Sequence, residues 1–257
     1  MAQWDAAQYL RFEAERTQPS IDLAARIPLE RPAKVLDVGC GPGNSTAVLA
    51  RRFPEAAILG VDNAPPMIEA AKKAYPHLSF ALCDAAGAEL EELGADFDVV
   101  FSNACIQWIP DHPILLKNLL GLLKKDGVLA VQVPMNHQEP VHRVIGEITA
   151  RERWNKRIGK ARIFHQLTPE GYFDLLAKLS PVFDIWQTTY FHRMRSHEDI
   201  LEWYRGTGLR PYLAQLSDEE RPDFEREILA ELRRTYPKQE NGEIIFRFPR
   251  LFFIAGR

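Results

Sequence analysis

Gly39, Gly41 and Gly43 alternate with Cys40, Pro42 and Asn44, directly after an apolar run that holds a single acid, Val35-Leu36-Asp37-Val38. Ser45 and Thr46 follow and open a helical pattern of Ala47, Val48, Leu49 and Phe53. A strand that ends in a glycine turn and feeds a helix exposes backbone N–H groups, and a ligand can lie against them without meeting side chains. The spacing narrows the ligand. A dinucleotide turn, G-x-G-x-x-G, needs its third glycine where this chain has Asn44. A phosphate-binding loop needs a Gly-Lys-Ser/Thr ending that is absent here. Asp37, inside the strand before the turn, would repel a pyrophosphate and suits a cationic ligand.

Other residues able to do chemistry stand at the ends of later apolar runs. Asp62, followed by Asn63, closes Ala57–Val61, and Asp84, followed by Ala85, closes Leu78–Leu82. Either aspartate alone reads as a helix cap; the two together, after a glycine turn, read as a site. A short acceptor such as Asp62 fits a ribose diol. Met67, after Pro65-Pro66, serves equally as a cover for a flat ring or as core packing. Asn103, Ala104, Gln107 and Trp108 follow a fourth run, Phe97–Phe101. Trp108 either fixes its loop or offers a face to a cation, a contact worth ~0.5–2 kcal/mol when desolvated. Cys105 lies close by, but no neighbouring base can be assigned to it. The second half of the chain is dense in His192, Arg193, Arg195, Tyr204, Arg205, Arg210, Tyr212, Arg247 and Arg250. Guanidinium forks match carboxylates, so a small multiply anionic acid would suit two or three of these, the rest being solvated.

The elements that must position these groups alternate. Apolar runs at 35–38, 57–61, 78–82, 97–101, 128–133, 183–191 and 243–255 predict seven strands, and amphipathic segments between the first five predict helices on both faces of a parallel sheet. The fold class is α/β, a mostly parallel, Rossmann-like sheet. Pro19 is expected to start a second helical piece of the N-terminal segment, Lys124–Gly127 to form a turn, and Pro249 to mark a bulge or an edge. Asp111, Thr168, Ser196 and Ser217 are read as helix N-caps. Residues 1–257 form a single domain in this reading, with 1–31 a helical lid or a core-packing helix. Residues 194–242 are a helical cap inserted before the last strand.

The chain has 257 residues, 32 basic and 35 acidic, for a formal net charge of −3, which gives no basic field for nucleic acid. Three widely spaced cysteines exclude a disulfide scaffold or zinc ribbon, so no metal is expected, and they suit a reducing cytoplasm. No signal peptide and no apolar run of spanning length is read.

The stretch Lys34–Asn44 resembles motif I of the class I S-adenosylmethionine-dependent methyltransferases. A closer resemblance runs over nearly the whole chain: Trp4, Tyr9-Leu10, Phe12, Glu15-Arg16 and Pro19; GCGPGNST; Asn103-Ala104, Gln107-Trp108; Thr207–Pro211; Glu240–Gly242 and Phe248–Phe252. These are similar to the family of carboxyl methyltransferases that act on trans-aconitate. The resemblance implies S-adenosylmethionine as cofactor, S-adenosylhomocysteine as product and a small tricarboxylate as partner substrate. It implies a cofactor site of Asp37, Gly39, Cys40, Gly41, Asp62, Asn63, Met67, Asp84, Ala85 and Asn103, with Asp84 on the adenine amino group. Asn103, Gln107 and Trp108 would position the reacting groups, and Arg16, Arg205, Arg210 and Arg250 would hold the acid. A carboxylate is already ionised at neutral pH, so direct in-line transfer needs no general base. Three alternatives stay open: a methyltransferase for another small acid, a non-catalytic S-adenosylmethionine-binding protein, and an NAD-dependent oxidoreductase, against which Asn44 speaks.

Overall fold

A computed structural model describes residues 13–159, 164–206 and 208–257. Trp4, Tyr9, Phe12 and Thr207 lie outside the described residues. In chain order the elements are α1 (Glu13–Ala25), β1 (Lys34–Val38), α2 (Asn44–Arg52), β2 (Ala57–Asp62), α3 (Pro65–Ala74), β3 (Ser79–Leu82), α4 (Glu89–Glu92) and β4 (Phe97–Asn103). A 3-10 turn, Ile106–Trp108, leads to α5 (His112–Gly121), β5 (Leu123–Pro134), α6 (Pro140–Thr149), α7 (Glu152–Asn155) and α8 (Pro169–Leu179). The chain then forms β6 (Phe183–Met194), α9 (His197–Arg205), α10 (Arg210–Leu213), α11 (Arg221–Thr235) and β7 (Ile244–Gly256). The strands make one seven-stranded sheet in the order β3-β2-β1-β4-β5-β7-β6. Pairs from β3 through β5 are parallel, and β7 runs antiparallel to β5. The expected mostly parallel α/β sheet is the fold observed.

Two compact units make up the chain. The first, here the sheet unit, comprises Thr17–Pro134, Phe164–Thr188 and Arg250–Arg257. Its core is the set of apolar runs read from sequence, with Val35, Leu36, Val99, Val100, Phe101, Leu129, Ala130 and Val131 fully buried. Continuous apolar strands need cover on both faces, and the helices supply it.

The second, helical unit holds Thr189–Pro249 and the described residues of Met135–Ile163, with the segment ending at Arg16. Its core gathers Trp154, Trp203, Tyr204, Phe224, Phe246 and Phe248. Ion pairs such as Arg151 with Glu227 and Glu231 lie on its surface. Half-exposed pairs of this kind contribute about 0–1 kcal/mol each, whereas burying one large apolar side chain contributes about 1.5–3 kcal/mol. The aromatic core therefore dominates.

Two local expectations are corrected. Pro19 does not start a new helix but sits inside α1. Pro19 and Ser20 are buried there, Leu23 is fully buried, and the Ser20 hydroxyl donates to the Thr17 carbonyl (2.7 Å), so packing overrides the proline's local preference. Lys124–Gly127 is not a turn between elements but an irregularity within β5, where the register with β4 shifts between Phe97 and Val99. Asp126 adopts a left-handed φ of 64° there, and Lys124 pairs with Asp98. The caps hold. Asp111, Thr168 and Ser196 accept from the N–H groups of Ile114, Gly171 and Asp199.

Candidate functional site

The glycine turn leaves β1 and is bolted to β2. The N–H groups of Gly39 and Cys40 both donate to the Val61 carbonyl (2.8 and 2.9 Å), and Gly41 N–H donates to Asp62 Oδ2 (3.0 Å). Asp62 Oδ1 accepts from Ala64 N–H (2.9 Å), so the carboxylate is held rigid at the mouth of β2 with lone pairs to spare. Gly39 and Gly41 have left-handed φ values of 74° and 54°. They differ in what surrounds them. A β-carbon at Gly39 would fall 2.1 Å from Cys105 Sγ, whereas one at Gly41 would meet nothing within 4 Å. Gly39 is thus the seat of the β4 loop, and Gly41 borders open space.

Asp37 is fully buried at the root of this turn. Its Oδ2 accepts from Ser45 Oγ and Thr46 Oγ1, each at 2.6 Å, tying β1 to the first turn of α2. Burial opposes the charged form and these two donors favour it; burial wins, and the carboxyl is pushed up to about 6. Asp37 Oδ1 is buried with no hydrogen-bond partner among the described residues. A cation at the turn would be attracted to a carboxylate so placed.

The remaining residues read from sequence fall at the same ends of β2, β3 and β4. Asn63 is exposed and Met67 half-buried at the start of α3. Asp84 is exposed, its Oδ1 accepting from Ala86 N–H (3.0 Å) and its own N–H donating to Glu89 Oε2 (3.0 Å), with Ala85 half-buried between. The Cys40 side chain packs with Ile68, Ala71 and Phe80, and burial pushes its thiol far up, so it meets a ligand through its backbone if at all. Cys105 is pushed up to about 12 by desolvation and by Asp62 and Asp37, which removes it as a nucleophile at neutral pH.

Beyond Asn103, Ala104 takes a left-handed φ of 54° and the 3-10 turn follows. Gln107 is 2% exposed, and its Nε2 donates to the Ala104 carbonyl (2.6 Å). Trp108 packs on Phe164 at 4.8 Å between ring centroids. The turn is held from beneath by a group that sequence reading missed. His112 is 1% exposed, with Nε2 on the Ile106 carbonyl (3.0 Å) and Nδ1 on Tyr172 Oη (2.8 Å). The carbonyl can only accept, so Nε2 carries the proton and the Tyr172 hydroxyl donates to Nδ1. Burial lowers the His112 pKa and keeps the ring neutral.

The four arginines are not alike. Arg250, in the sheet unit, is 4% exposed and stands opposite Pro134, at the carboxyl end of β5. Its Nη1 donates to Gln132 Oε1 (3.1 Å). The other three belong to the helical unit. Arg16 lies over the Trp203 ring (5.1 Å) and donates to the Trp203 carbonyl (3.4 Å). Arg205 grips Glu225 with Nε and Nη2 (2.7 and 2.8 Å) and Glu202 with Nη1, so its fork is occupied. Arg210 lines a cleft of about 410 Å³ with Arg205, Leu213, Asp218, Arg221 and Glu225.

The sheet order, the glycine turn leading into α2 and the acidic strand ends define the class as a class I methyltransferase. A family described as methyltransferase domain matches residues 35–127. The Bacillus subtilis YcgJ protein shares the fold at a TM-score of 0.62 and 15% identity, over 93% of this chain and 98% of that one. Haemonchus contortus phosphoethanolamine N-methyltransferase 2, solved with phosphomonomethylethanolamine and S-adenosylhomocysteine, shares it at a TM-score of 0.58 and 17% identity, over 93% of this chain and 52% of that one. In sequence, the chain is 44% identical to the trans-aconitate 2-methyltransferase of Methylobacterium radiotolerans, over 100% of its own length and 99% of the relative's. The chain belongs to the trans-aconitate 2-methyltransferase family.

Proposed function

We propose that this enzyme transfers a methyl group from S-adenosylmethionine to one carboxylate of a small tricarboxylic acid, trans-aconitate, giving a monomethyl ester. The observation that carries the choice of an acid is Arg250, a buried guanidinium at the carboxyl end of β5, where open α/β sheets take their ligands. The full-length likeness to a trans-aconitate 2-methyltransferase supports the same choice.

The cofactor would be held by the turn and the strand ends: Gly39 and Gly41 along its methionine part, Asp62 on the ribose, Asp84 and Ala85 by the adenine, with Asn63 and Met67 alongside. The open space at Gly41 and the unsatisfied Asp37 Oδ1 fit a cationic group there. When bound, S-adenosylmethionine supplies an electrophilic methyl. The residues around it have no proton to remove, because the nucleophile is a carboxylate. No side chain of the β4 loop is poised as a base: Cys105 stays a thiol, and both His112 nitrogens are engaged. The protein's contribution is to orient the acid and exclude water from a weak nucleophile. Arg250 anchors the acid in this reading, while Arg205 stays with Glu225.

Incubation with labelled S-adenosylmethionine and a panel of di- and tricarboxylic acids tests the proposal. The expected result is a base-labile methyl ester, formed fastest on trans-aconitate. Labelling of no acid in the panel would rule out the reading, and labelling of a different acid would transfer it to that substrate.

A further inference from the structure

From Val128 to Val133, β5 is apolar with one exception, Gln132, which is 0% exposed. It pairs with Asn103 on β4 and with Phe252 on β7. Paired residues project to the same face of a sheet, and so do residues two apart on a strand, which places Arg250 on that face as well. A guanidinium only donates, so the group that faces Arg250 Nη1 at 3.1 Å is the Gln132 oxygen. The amide nitrogen then points elsewhere. Gln132 Nε2 is buried with no hydrogen-bond partner among the described residues.

It has company. Gln107 Nε2 is fixed on the Ala104 carbonyl, which leaves Gln107 Oε1 buried and unpartnered among the described residues. Asn103 Oδ1 and Gln166 Oε1 are in the same condition, and the backbone bond from His165 N–H to the Gln107 carbonyl (2.9 Å) seats Gln166 beside this group. Buried polar atoms are normally paired, so several unpartnered ones at one end of a sheet mark the place where a polar ligand completes them.

We propose that Gln132 is a specificity-determining residue, its Nε2 donating to an oxygen of a carboxylate of the acid that is not methylated. The inference rests on the carboxylate-methylation reading above. A donor on the reacting oxygen would draw electron density from the nucleophile, so the contact belongs to a spectator carboxylate. Arg250 sets the polarity of the amide by claiming its oxygen. A neutral N–H beside a guanidinium satisfies an anion without adding a second buried charge.

Two variants test this. Gln132→Glu keeps an acceptor for Arg250 and replaces the donor with a negative oxygen; Gln132→Met keeps the bulk and removes both polar groups. With trans-aconitate, the KM should rise about 10-fold in Gln132→Met and about 100-fold or more in Gln132→Glu. The Kd for S-adenosylhomocysteine should stay within about twofold of wild type, a split that a general loss of structure would not produce. Unchanged KM in folded variants overturns the inference and leaves the carboxylate reading standing. Loss of folding in both, seen as loss of S-adenosylhomocysteine binding and of a cooperative melt, would make Gln132 a structural residue and overturn it too. A wild-type protein that methylates no acid overturns the reading and the inference together.

Discussion

At the scale of single residues, Asp37 shows how the glycine turn carries an electrostatic cost. Its carboxyl is held at about 6 in the folded protein against 3.8 for an unperturbed aspartate, so the folded state binds more protons than the unfolded state between those values. Its contribution to stability is therefore fullest below about pH 3.8 and is lost as the pH rises through about 6. A shift of about two units corresponds to at most about 3 kcal/mol. Asp37→Asn removes the titration and keeps an acceptor for Ser45 and Thr46. The melting temperature of this variant, relative to wild type, should climb between pH 4 and pH 7. A constant difference across that range would show that the burial of Asp37 carries no such penalty. Sequence reading assigned Asp37 to the expected cofactor site, and the contacts the structure gives it lie inward, on two hydroxyls of the next helix. Arg205 is the harder case. Nothing in the sequence announces that Glu225, on another helix, takes its Nε and Nη2 while Glu202 takes its Nη1.

Elements were legible where hydrophobicity spoke alone. Strands β1 to β5 read as continuous apolar runs because a doubly covered parallel sheet demands them, and the aspartates at their ends stood out by contrast. Legibility failed where packing decided. Pro19 is carried inside α1, and Lys124–Gly127 is absorbed into β5. Nothing in the sequence marks His112, which with Tyr172 supports the 3-10 turn, or gives a meaning to Gln132, which needs Arg250 beside it. The glycine turn and the β4 loop form one interlocked device, since Gly39 has space for nothing larger beneath Cys105. Gly39→Ala combines a left-handed φ with a 2.1 Å clash and should lower stability by more than about 2 kcal/mol while weakening S-adenosylhomocysteine binding. Adding Cys105→Gly removes the clash but not the φ strain, so calorimetry and thermal melts should show partial recovery. Full recovery, or none, would contradict the interlock.

For the whole molecule, the chemistry predicts a featureless pH dependence. With an ionised nucleophile, a thiol held at about 12 and a buried neutral histidine, kcat should be flat between pH 7 and pH 9. A rising limb with an apparent pKa in that window would reveal a general base and refute the direct transfer proposed for this enzyme. The sheet order has a further consequence, one that concerns manufacture of the protein and not its reaction. β7 comes after every other strand in the chain, yet it lies between β5 and β6 and not at a margin. Until the ribosome has released Arg250–Arg257, the apolar stretch Val128–Val133 has an open flank, which is a template for association with other chains. A nascent chain that stalls short of β7 is therefore an aggregation hazard, and a shortened chain lacking this strand would lose the link between β5 and β6.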